Sequence, residues 1–246
     1  MPSHKSASLG RKPAKLAAVA GAMIAIGGGA YGIVSATASA TASTASAATS
    51  SVSAPAARPA RVGGGTNARS GPAAGGSVGT VERTSVSGFR LTTSAGQEVT
   101  VKVTASTAYW QGTKAAPASG VTKGESVLVL GTTDSTTITA SRVIVKPTPT
   151  ATEPSWAGTV VPFTRGAQSA SKQAGQIPAA YTQGTGTIVS GTAANKATRA
   201  ALAVYPGGIV DRVAKLSNGE YEVHYIGVNW PHHIFVNQDF EVIGAD

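Results

Sequence analysis

Cysteine is absent from the 246 residues, which excludes a disulfide scaffold, a thiolate zinc site, an iron–sulfur cluster and a thiol nucleophile. Aromatic residues make up only 5% of the chain and charged residues 13%, while glycine alone occurs 30 times. Much of such a chain cannot bury a core. Acidic side chains are missing altogether from residues 1–81, and Glu82 is the first. That absence explains the net charge of +9. Lys5, Arg11, Lys12, Lys15, Arg58, Arg61 and Arg69 fall in the acid-free stretch, and downstream the balance is 13 basic against 11 acidic residues. A phosphate-binding footprint clusters on a folded surface, so nucleic acid is not expected as a partner.

Catalytic signatures are missing too. There is no Gly-x-Ser-x-Gly elbow and no His-Glu-x-x-His helix. Gly186 and Gly191 have the spacing of a phosphate loop, but Thr192-Ala193 stands where Lys-Ser/Thr is required. Neither an enzyme nor a cofactor is expected.

What is present begins with an address. Residues 1–15 form a basic stub, and 16–34 are 19 uncharged, mostly apolar residues. A basic segment before such a run directs export with the N-terminus inside and the C-terminus outside. The length suits a single membrane span of roughly 20 residues. Gly27-Gly28-Gly29 and the small residues from Ala36 to Ala40 suit a cleaved signal instead, which would give a secreted protein. Both readings stay open. Residues 35–77 follow as a linker, with 37 of 43 positions Ala, Ser, Thr, Gly or Pro. Too little large apolar surface is available there to offset chain entropy, so disorder is expected.

Residues 78–146 alternate apolar and polar residues in short runs. Strands are expected at 79–86, 89–93, 98–104, 126–130 and 137–145, with turns at Ser87-Gly88 and Ser94-Ala95-Gly96. Evenly spaced short strands indicate a small all-β barrel. Gly79-Thr80-Val81, Phe89-Arg90-Leu91-Thr92, Val99-Thr100-Val101-Lys102-Val103, Lys123-Gly124-Glu125-Ser126-Val127 and Ala140-Ser141-Arg142-Val143 resemble an OB-like barrel domain of unknown function that recurs in bacterial exported proteins. The resemblance implies a barrel without assigned catalysis. Tyr109 and Trp110 are its only candidates for stacking on a ligand, and they read better as core or rim packing.

Residues 147–191 open with a Pro/Thr spacer and continue irregularly, with strands expected at 156–163 and 184–189. From residue 192 to 246 the character changes. Thr192 is the expected cap of a helix over 193–205, with Ala197, Ala200, Ala201 and Val204 on one face and Pro206-Gly207-Gly208 as its stop. Strands follow at 209–216 and 220–226 around an Asn218-Gly219 turn, then at 233–236 and 240–243. The expectation is an α+β unit, a helix on an antiparallel sheet. The run 197–202 with Pro206-Gly207-Gly208, then Gly219-Glu220-Tyr221-Glu222-Val223 and Phe235-Val236, is similar to the PepSY domain family. That resemblance implies an exported binding module and a peptidase as one class of partner.

Candidate site residues lie in this last unit. His224, His232 and His233 fall within ten residues on one hairpin, and imidazoles are common ligands of zinc, copper and nickel. Glu222 is expected to face away from His224, and with Glu220 to be a solvated edge charge. Tyr221 and Tyr225 share a strand face and are expected in the core. Trp230, beside Pro231 in a loop, is expected to be exposed as a partner-binding residue. The chain thus reads as an exported, membrane-tethered, non-catalytic binding protein of the bacterial cell envelope, with an envelope protein as its partner. A peptidase-regulating PepSY-type module and a metal-responsive protein using the histidines are the alternatives.

Overall fold

In a computed structural model the described residues are 71–146, 152–167 and 172–246, all within the second of the two units into which the chain divides, Ala56–Asp246. The expected stub and membrane-spanning segment, and the linker up to residue 70, lie outside the described residues. Among the described residues no helix is long and apolar enough to cross a membrane.

The alternating runs make a closed barrel of five strands with extra strands added. Its strands are β1 (Ala73–Ser85), β2 (Gly88–Thr92), β3 (Glu98–Lys102), β6 (Ser126–Asp134) and β7 (Thr137–Val145). The short β4 (Ala108–Gln111) lies on β7, and β5 (Lys114–Ala115) lies on β4. β1 pairs β2, β2 pairs β3, β3 runs parallel to β7, and β7 and β1 both pair β6, closing the ring. In β3 only Val99 and Val101 turn inward, where they meet Val81, Leu91, Ile138 and Val143. The Val-Leu-Val-Leu run of β6 has no polar alternate because both its faces are covered. Val127 and Val129 fill the barrel, while Leu128 and Leu130 pack outward against the C-terminal region.

β1 begins at Ala73, inside the tract read as linker. The small residues there serve packing. One edge of β1 pairs β6 from Ala73↔Thr133 to Thr80↔Ser126, and the other pairs β11 (Ile209–Lys215) at Gly76↔Val210 and Ser77↔Ile209. A Cβ on Gly75 would lie 2.0 Å from the Val210 oxygen, and one on Gly76 would lie 2.2 Å from the Val129 oxygen. Only glycine allows backbones this close.

Through β1 the sheet continues as β11, β12 (Tyr221–Ile226), β14 (His233–Val236), β15 (Val242–Ala245) and β9 (Ala174–Gly175). β10 (Thr187–Ile188) sits on β11, and β8 (Val161–Pro162) pairs β13 (Val228–Trp230) apart from this sheet. The strands expected at 156–163 and 184–189 are thus two residues each. The helix α1 (Gly191–Val204) starts two residues earlier than expected, with Ser190 at its N-cap. Ala194, Ala197 and Ala201, all fully buried, let it lie close on β1 and β11. Gly219, in the expected Asn-Gly turn, has φ of +87°. The core beneath the helix gathers Leu130, Val210, Val223, Tyr225 and Ile234, each contributing about 1.5–3 kcal/mol by its burial.

Candidate functional site

Two places carry chemistry. The first is the face of the C-terminal sheet turned away from α1. Alternation along β12 sends Tyr221, Val223 and Tyr225 into the helix-side core and Glu222 and His224 to the opposite face. Tyr221 and Tyr225 are therefore core residues, as expected. Glu222 is not solvated and does not face away from His224. It is fully buried, because residues two apart on a strand share a face and this face is covered.

Across the ladder His224 stands opposite His233 of β14, with ring centroids 5.1 Å apart and planes at 65°. Each imidazole is held by a buried carboxylate. His224 Nδ1 lies 2.6 Å from Asp211 Oδ1, and His233 Nδ1 lies 2.7 Å from Glu222 Oε1. Asp211 sits at an irregularity where the β11–β12 register shifts between Val210 and Arg212. Its other oxygen is 3.6 Å from the Arg212 guanidinium. Tyr181 covers the pair from the segment before β10. Its hydroxyl is 3.0 Å from His233 Nδ1, and its ring meets Phe235 edge-on at 4.6 Å. Burial, then the charges of Glu222 and Asp246, push the Tyr181 pKa well up, so the phenol keeps its proton.

The three candidate histidines thus divide two and one. His232 interacts with the Tyr225 backbone, and burial is the main cause that lowers its pKa from 6.5. Among the described residues no group of three or more His, Asp or Glu side chains is arranged to hold a metal ion. Carboxylates only accept hydrogen bonds, so each dyad places the imidazole proton on Nδ1 when the ring is neutral. The remaining lone pair is then on Nε2. His224 and His233 side chains are 17% and 12% exposed.

Trp230 is not exposed. Its loop is partly strand, and β8 folds over it. The indole N–H donates to the Lys172 oxygen at 2.6 Å, Tyr205 packs edge-on at 5.6 Å, and the Lys172 ammonium sits 4.5 Å above the ring. The Trp230-Pro231 peptide is cis. The cover comes from β8 and from Lys172, in a region whose apolar residues follow no sustained period. Asp211, Arg212 and Tyr181 were missed for a related reason. The first two lie at a register shift, and Tyr181 lies in that irregular region.

The second place is on the barrel. Arg83, Arg90 and Lys102 border an open depression of about 460 Å³ on the outside of β1, β2 and β3. Its low point is Gly88, which stands between Ser85 and Lys102 in register. A Cβ there would lie 1.9 Å from the Val101 oxygen. Arg90 is paired with Glu98 at 2.9 Å, whereas Arg83 and Lys102 take part in no ion pair among the described residues. Tyr109 and Trp110 lie elsewhere, half-buried on β4, with the Arg142 guanidinium 5.4 Å from the Trp110 ring.

Comparison with known protein families, with curated proteins and with solved structures returned no match, so neither the PepSY nor the OB-like resemblance gains support from a relative.

Proposed function

We propose that the chain is an exported, membrane-tethered binding protein of the bacterial cell envelope, and that its barrel, OB-like in character, holds an anionic polymer without catalysis. The observation that carries this is the basic depression bordered by Arg83, Arg90 and Lys102. OB-type barrels bind oligomers across strands two and three, and the depression lies on those strands. The basic stub and uncharged run of residues 1–34 argue for export and tethering. Attraction between exposed charges is screened over about 10 Å at 0.1 M salt, so binding should fall steeply as ionic strength rises.

The test is retention of the full chain, in detergent, on immobilised polyphosphate. Retention at low salt is expected, with at least a tenfold loss when Arg83 and Lys102 are both changed to Ala. Equal retention of that variant sinks the proposal.

A further inference from the structure

We infer that His224 and His233 form a two-imidazole site for a divalent transition metal of the zinc, nickel or copper class. The remaining coordination positions belong to water, since His232 is turned to the Tyr225 backbone. The site is independent of the barrel depression. Three observations converge on it.

The first is spacing. Zinc–nitrogen bonds are about 2.0–2.1 Å, which places two imidazole centroids on one tetrahedral ion about 5.2 Å apart. The observed separation is 5.1 Å, set by the direct cross-strand pairing of the two residues. The second is the outer support. Histidine ligands of metals characteristically donate their other ring N–H to a carboxylate, which orients the ring and makes the ligating nitrogen more basic. Both rings have this partner, Asp211 for His224 and Glu222 for His233, and Tyr181 shares the second contact. The third is charge. Asp211 and Glu222 are joined by Asp246, which acts on both Tyr181 and His232, and the Arg212 guanidinium lies 3.6 Å from Asp211, so carboxylates gather around the imidazole pair.

The full chain in detergent is titrated with Zn²⁺, Ni²⁺ and Cu²⁺ salts alone, by calorimetry and equilibrium dialysis. One ion per chain is expected at micromolar concentrations. Cu²⁺ spectra should show two imidazole nitrogens. His224→Gln and His233→Gln should each weaken binding at least tenfold, whereas His4→Gln and His232→Gln should not. Glu222→Gln should weaken it severalfold, as a positioning change. Should the first two variants fail to fold, nitrogen NMR of the unaltered chain decides, because Zn²⁺ must shift Nε2 of both His224 and His233. No bound ion at 1 mM metal overturns the inference. So does binding that survives loss of either ligand, a single-imidazole spectrum, or dependence on His4 or His232.

Discussion

The barrel and the C-terminal sheet are both built mainly from antiparallel strands but are covered differently. Most barrel strands bury one face, so β3 reads as a strict alternation of exposed and buried residues. β11 has six consecutive buried residues: Val210 and Val213 lie in the core with α1, while Asp211 meets His224 and Arg212 on the other face. One-sided burial leaves polar residues in water. Two-sided burial forces the polar residues of the second face to find partners in the protein, and here they find one another. The contrast explains why the barrel's inner side is apolar and the sheet's far side holds Asp211, Arg212, Glu222 and two imidazoles.

The largest expected effect belongs to the two-sided region. Trp230→Ala should cost about 4 kcal/mol, since a fully buried indole leaves a large cavity. Thermal melts of the full chain measure this, and a midpoint near that of the parent would mean that β8 and Lys172 do not cover the ring. Next comes Glu222→Ala, which leaves His233 without its carboxylate in a buried setting. A loss of about 3 kcal/mol is expected in urea unfolding at pH 7.

Gly76→Ala tests the joint between the two regions. Overpacking against the Val129 backbone should cost about 2 kcal/mol. Hydrogen exchange should then show protection falling in β6 and β11 together, and loss confined to one of them would separate the regions energetically. A smaller effect comes from His232. Its folded pKa is depressed below 6.5, so the unfolded chain binds the proton more readily. This contribution to stability is complete above pH 6.5 and is lost as pH falls toward the depressed value. His232→Gln should flatten the pH dependence of the melting midpoint in that window. Smallest of all is Val86→Ser at the fully exposed tip of the β1–β2 hairpin, expected within about 0.5 kcal/mol of the parent.

Legibility in the sequence follows the same division. Val99, Val101 and Val103 announce β3, and Asn218-Gly219 announces the turn between β11 and β12. Ala73 to Ser77 could not be read as strand, because Gly75 and Gly76 are demanded by Val210 and Val129, far along the chain. In the candidate site the histidines stood out as rare residues close in sequence. Their partners did not, although alternation along β12 already places Glu222 on the side of His224. Asp211 follows no period because the strand shifts register beside it. Trp230 was misjudged because its cover comes from residues with no pattern of their own.

The double pairing of β1 also bears on the order in which the chain is made. Val129 and Leu130 reach one edge of β1 soon after the barrel residues emerge, but Ile209 and Val210 complete the other edge at Ser77 and Gly76. At ribosomal rates of about 5–20 residues per second, the intervening stretch takes on the order of 10 s. Throughout that interval the nascent barrel carries an open strand edge flanked by glycine, with no side chains large enough to block another chain. That edge stays unpaired until β11 has been made.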